Sequence, residues 1–252
     1  MTHHICRLHH TIACLSVIVV LFGGTLNTAF AQQTIVNLPS ADQTKAGHLF
    51  VLHETQVRPW EPEGYWRSTN FITYGVTDWL ELCTTFYNID LLGRNKPYTA
   101  VGFGYKMAHQ LFREQADEWE IKWTWGQMLT TSFDGLGTGL WTYTHASTRL
   151  PVLQTRIAAG LSMGSRQVFG GVSEAFISSE HINFIGSIEQ PITKELGFVM
   201  EWFSGTHEMA DLVPGIIYHD KKTELVLILG YKFANYGGGT SNGIIFEIGK
   251  TF

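Results

Sequence analysis

The strongest constraint on this chain is a hydrophobic alternation of period two that recurs in short runs to its last residue. In Gly243–Phe252, Ile244, Phe246 and Ile248 share one face, and Ile245, Glu247 and Gly249 share the other. Trp119, Ile121, Trp123 and Trp125 oppose Glu120, Lys122, Thr124 and Gly126. Leu196, Phe198, Met200 and Trp202 oppose Gly197, Val199 and Glu201. Leu225, Leu227, Leu229, Tyr231 and Phe233 oppose Glu224, Val226, Ile228, Gly230 and Lys232. Val101, Phe103, Tyr105 and Met107 oppose Gly102, Gly104 and Lys106. Successive side chains of a strand point to opposite faces, so this pattern specifies β-strands with one greasy and one polar face.

Turn-forming residues divide the chain. Val76–Asp78, Pro191–Lys194 and His219–Lys222 read as short connections. Asn95–Pro97, Ser132–Gly137 and Asn235–Asn242 read as looser loops. Strands are expected at 47–57, 64–75, 79–90, 97–107, 118–129, 138–147, 150–162, 174–190, 196–205, 212–219, 223–233 and 243–252. That makes about twelve, within the even-numbered range of membrane barrels. The segment 108–117 reads as an unusually long turn.

The N-terminus reads as an export signal. Met1–His10 carries Arg7, Ile12–Phe22 is apolar, and Ala29-Phe30-Ala31 fits a small-x-small cleavage site, so residues 1–31 are expected to be removed. About 220 residues remain, enough for one all-β domain. Residues 32–46 read as a polar periplasmic lead-in and 47–252 as the barrel. No apolar run of the mature chain is long enough for a helical span. Cys83 is the one cysteine beyond the signal, which excludes an intramolecular disulfide. A net charge of -5 without a basic cluster argues against nucleic acid as a partner. The 26 Gly and 13% aromatic residues suit barrel walls.

A secreted sandwich or lipocalin-like barrel would also alternate, with its greasy face inside. The aromatics Trp119, Trp125, Trp202, Tyr231 and Phe233 lie near strand ends, where a membrane barrel carries its girdles. The expected fold is therefore an all-β, transmembrane, antiparallel up-and-down barrel with both termini periplasmic. Trp79 shares a parity with Glu81 and is expected at the rim.

The terminal Phe246–Phe252 and the strand–turn–strand Tyr74-Gly-Val-Thr-Asp-Trp-Leu-Glu-Leu82 resemble those of Gram-negative outer-membrane β-barrel proteins of porin-like type. Lys250 departs from the aromatic or aliphatic residue usual at that place. The resemblance implies residence in the cell outer membrane, contact with its lipid, and insertion through the outer-membrane assembly machinery with Phe252 as assembly signal. It names no substrate.

The lumen-lining candidates are Glu81, Lys106, Glu120, Lys122, Arg156, Glu189, Glu201, Glu224, Lys232 and Glu247. Facing one another in a narrow barrel they would form a plug; spread over a wider one, a selectivity field for small solutes. The favoured function is passive passage or binding of a small solute, with a non-conducting barrel as one alternative. The other alternative is a barrel-wall lipid hydrolase or deacylase. His145 and Ser147 lie two apart on one strand face, and outer-membrane phospholipases and deacylases resemble this in using a wall His and Ser. No cofactor and no metal site is expected. His48 and His53 are five apart and face opposite sides, so with Glu54 they do not share an ion; His207 and Glu208 fall in a loop.

Overall fold

In the computed structural model the described residues are 34–60, 64–90, 99–112, 119–133, 137–169, 181–207, 209–235 and 242–252. The expected signal peptide lies outside them. Twelve strands run in chain order: β1 (Leu49–Arg58), β2 (Tyr65–Thr77), β3 (Leu80–Asp90), β4 (Ala100–Gln110), β5 (Lys122–Ser132), β6 (Thr138–Arg149), β7 (Arg156–Gly164), β8 (Ile182–Pro191), β9 (Leu196–Phe203), β10 (Asp211–Asp220), β11 (Leu225–Ala234) and β12 (Gly243–Thr251). One helical turn, α1 (Arg166–Phe169), follows β7. Each strand pairs antiparallel with its sequence neighbours, and β12 pairs with β1 to close the barrel. The last residue completes the seam: Phe252 N–H donates to Leu49 C=O at 2.8 Å, and Leu49 N–H donates to Phe252 C=O at 3.1 Å. Closure leaves no sheet edge, which hydrocarbon would not tolerate.

The alternation sorts the faces as expected. Leu82, Phe103, Leu129, Leu161, Ile216, Leu229, Phe246 and Ile248 lie exposed on the outer wall. Glu54, Glu81, Lys106, Arg156, Glu189, Glu201 and Glu247 are buried on the inner one. Exposed aromatics gather at both rims. Tyr74, Trp79, Trp119, Trp123, Tyr218 and Phe252 ring the end where β1 starts and β12 finishes, and Trp66, Phe184, Trp202 and Phe233 the other. Trp79 sits in the β2–β3 turn, stacked on His109 at 5.2 Å. Because the strand number is even, the start of β1 and the end of β12 share one rim. The short connections at 78–79, 192–195 and 221–224 lie at that rim.

Two expected strands begin later than the alternation suggests. Residues 150–155 form a turn after Leu150-Pro151: Leu150 N–H donates to Thr155 C=O and Gln154 N–H to Leu150 C=O, both at 2.8 Å, with Gln154 at φ 54°. β7 therefore starts at Arg156. Glu120, at φ 41°, breaks the Trp119–Trp125 run, so β5 starts at Lys122. The expected strand from 174 falls partly outside the described residues, and β8 begins at Ile182.

The wall glycines serve strand-to-strand approach. A Cβ at Gly104 would lie 2.1 Å from Gln127 O, and one at Gly160 would lie 2.0 Å from Thr144 O. Such glycines let a strongly coiled barrel bend. Gly160→Ala is therefore expected to cost about 1–3 kcal/mol, as overpacking against backbone does. A lowered temperature for the shift from folded to unfolded migration on an SDS gel would register it.

Candidate functional site in the barrel lumen

Residues 34–46 thread the lumen. From sequence they read as a periplasmic lead-in; instead they cross from the terminal rim toward the far half. At the rim, Gly47 N–H donates to Gly75 C=O at 2.8 Å and Gly75 N–H to His48 C=O at 3.1 Å. Gly75 is needed here, because a Cβ would lie 2.2 Å from Lys45 O. Further in, Thr44 N–H donates to Glu81 at 2.8 Å, and the Thr44 and Thr73 hydroxyls meet at 2.7 Å. Lys106 Nζ donates to Asp42 C=O at 2.6 Å and pairs with Glu81 at 3.1 Å.

Asp42 is the hub. Arg156 grips its carboxylate with two hydrogen bonds, 2.7 and 3.0 Å, and Lys122 adds one at 3.1 Å. These cations offset the cost of burying the Asp42 carboxylate. Arg156 also lies 3.5 Å from Glu189. Replacing Arg156 by Lys keeps the charge but loses the two-pronged grip, and is expected to cost about 1.5–3 kcal/mol. The same gel shift would record it.

Beyond Asp42, Pro39 C=O accepts from His145 Nε2 at 3.0 Å. Glu201 then receives three consecutive backbone N–H groups: Val36 at 3.0 Å, Asn37 at 2.9 Å and Leu38 at 2.7 Å. Ile35, Val36 and Leu38 pack with Met128, Trp141, Tyr143, Ile185 and Phe203, and Phe169 of α1 joins that cluster. Beside the segment lies a cavity of about 60 Å³, lined by Phe50, Phe71, Tyr87, Met128 and Trp141 among others. Lumen and segment thus make one packed interior.

Of the ten lumen-lining candidates, Glu81, Lys106, Arg156, Glu189, Glu201, Lys232 and Glu247 are buried inside. Lys122 opens β5, also facing in, and is partly exposed. Glu120 stands just before β5 at positive φ, yet its carboxylate joins the lumen cluster: it pairs with Lys122 at 2.9 Å and with Arg149, and lies 3.9 Å from Arg156. Its carboxyl is raised by burial but lowered more by Lys122 and Arg149, for a net downward shift. Glu224 is a correction. It lies in the 221–224 turn at φ 54°, 45% exposed, 3.8 Å from His219. A left-handed residue ends the extended strand, which alternation alone cannot foresee.

His145 and Ser147 face inward, 2% and 4% exposed. The His145 Nε2 proton is committed to Pro39, and among the described residues Ser147 Oγ has no hydrogen-bond partner. Neither reaches the lipid face, so this pair lacks both the Ser–His contact and access to a lipid. His48, His53 and Glu54 diverge as expected: His48 bonds back to Ala46 at the rim, His53 faces out and Glu54 in. Among the described residues no group of three or more His, Cys, Asp or Glu could hold a metal ion. His207 stacks on Phe169 at 4.4 Å, and Glu208 lies outside the described residues. Cys83 lines the cavity.

Sequence reasoning missed the segment itself and Asp42. Its trace was the apolar Ile35, Val36 and Leu38 in a stretch otherwise polar.

The comparisons agree with this architecture. The chain is similar to KdgM porin, at 9% identity and a TM-score of 0.51, over 81% of this chain and 98% of that one. It also matches the outer membrane channel DcaP of Acinetobacter baumannii, at 10% identity and a TM-score of 0.31, over 81% of this chain and 71% of that one. No family model and no curated protein matches the chain. The first likeness carries the fold alone: a closed antiparallel β-barrel like that of the KdgM porin. At 9% identity it carries nothing about solutes, and the second likeness is too loose to add to it.

Proposed function

We propose that the protein resides in the outer membrane as a channel for small solutes, with the rim that carries the start of β1 and the end of β12 facing the periplasm, and that residues 34–46 close its lumen at rest. One observation carries this reading: the segment is held by charges of the inner wall rather than by a continuous strand ladder. Glu81, Lys106, Arg156 and Glu201 grip it through side chains, so its release would leave those charges lining a passage. Charged walls facing a hydrated path select and pass solutes by diffusion. The short connections at the terminal rim support the periplasmic placement, since barrels carry their short turns there.

The test is current across a planar bilayer. The intact protein is expected to be nearly silent, with rare openings, and to conduct steadily once the anchors of the segment are weakened. The small cavity beside the segment favours a second reading, a permanently filled barrel that conducts nothing. Silence of the weakened variants in a preparation that still migrates as a folded barrel selects that second reading.

A further inference from the structure

The outer wall carries a polar trio where the neighbouring outward positions are Val51, Val57, Ile72, Phe246 and Ile248. His53 Nδ1 lies 2.8 Å from Asn70 Oδ1, and His53 Nε2 lies 3.0 Å from Thr55 Oγ1. Asn70 Oδ1 can only accept, so Nδ1 carries the proton and Nε2 offers its lone pair to the Thr55 hydroxyl. Hydroxyl, imidazole and orienting amide thus stand in the order nucleophile, base, positioning group. His53 pairs with Asn70 across β1 and β2, and Thr55 with Ser68, so all four share the outward parity, with Ser68 covered and His53, Thr55 and Asn70 partly exposed. The next outward pair toward the far rim is Val57 with Trp66, and Trp66 belongs to the aromatic girdle. Such girdles mark the polar–apolar boundary of a bilayer. Thr55 therefore sits about one side-chain pair, or about 7 Å of strand, below that boundary, within reach of the ester groups of a lipid.

We propose that Thr55, His53 and Asn70 form a lipid-facing esterase site that cleaves carboxylic esters of acyl chains, independent of the lumen. Thr55 Oγ bonds to the acyl carbonyl carbon while its proton passes to His53 Nε2. The ester C–O bond then breaks, and His53 returns the proton to the departing alcohol, leaving an acyl-threonine. Water drawn from the rim gives a proton to His53 and attacks the same carbon. The Thr55–acyl bond breaks, Thr55 regains the proton and the free fatty acid leaves. Asn70 acts through the ring of His53 as a positioning residue.

The experiment offers the folded protein dioleoylphosphatidylglycerol in mixed detergent micelles and measures free oleate. A fluorophosphonate probe followed by peptide mass mapping reports the reactive hydroxyl. The wild type is expected to release oleate and to carry the adduct on Thr55. Thr55→Val and His53→Asn should each lose the rate by about 10²–10⁴-fold, with Thr55→Ser retaining it. Asn70→Ala should lower kcat and move the acidic limb of its pH profile, and Asn70→Asp should restore both. Absence of oleate release and of a Thr55 adduct in a barrel with folded migration overturns the proposal. So does an undiminished rate in Thr55→Val. Bilayer current does not enter this test, so the channel reading stands or falls separately.

Discussion

The double variant Asp42→Asn, Glu201→Gln is expected to turn a nearly silent barrel into a conducting one. Both exchanges keep shape and volume, so the wall itself should fold unchanged. A carboxamide at position 42 would accept one hydrogen bond from Arg156 but turn its N–H₂ group toward the guanidinium that grips both carboxylate oxygens in the native protein. A carboxamide at position 201 keeps the single oxygen on which all three backbone N–H groups converge, but loses the charge that strengthens them. Hydrogen bonds to charged groups are worth about 1.5–3 kcal/mol each and neutral ones about 0.5–1.5, so one bond lost at position 42 and three weakened at position 201 together cost the segment about 3–6 kcal/mol in the double variant. At about 1.4 kcal/mol per factor of ten, the open population rises by about 10²–10⁴-fold. Single-channel recording reads this as open probability. The singles, Asp42→Asn and Glu201→Gln, should each give part of the effect. The two sites hold parts of the segment about four residues apart, so their effects should roughly add. An unchanged open probability in a double variant that migrates as a folded barrel would mean that the apolar residues Ile35, Val36 and Leu38 alone hold the segment in place.

The wall of this protein is legible in its sequence because the two-residue period leaves each strand little choice. Phe246 and Ile248 must face the same way, and Glu247 the other, whatever the rest of the chain does. Legibility fails where the period is interrupted. Glu120 and Glu224 take left-handed backbone conformations just outside their strands; Glu224 sits in the rim turn, and Glu120 reaches the lumen cluster from beyond the strand's end. The plug was unreadable for a different reason. Residues 34–46 have no period of their own, and their partners lie far along the chain, with Val36 and Glu201 separated by 165 positions. The trio on the outer wall is a matter of register: His53-x-Thr55 is visible in the sequence, but that Asn70 lies opposite His53 follows from the β1–β2 pairing. His145 and Ser147 show the converse. Their spacing was right for a shared face, and the face proved to be the filled interior.

Leu229→Arg should destabilise the barrel by about 2–4 kcal/mol in a bilayer, the range for a basic residue at the midplane of a barrel's lipid face. Leu229 is the fifth of ten residues in β11, is 57% exposed, and lies beside the outward Phe246 of β12 and Ile216 of β10. It is thus as far from either rim as a residue of this strand can be. The experiment separates two physical worlds. If water covered this wall, an arginine there would be harmless and would improve solubility, as exposed charges do. If hydrocarbon covers it, the guanidinium must be dragged toward a rim or left poorly solvated. Guanidinium titration of the variant and the wild type in lipid vesicles gives the difference directly. Phe233→Arg, near the far rim, supplies the internal comparison. The cost there should fall to about 0–1 kcal/mol, because the side chain can reach the interface. A cost that decays from Leu229 to Phe233 is the signature of a depth-graded apolar solvent. Equal, negligible costs at both positions would mean that the Leu- and Phe-bearing faces of these strands do not meet lipid.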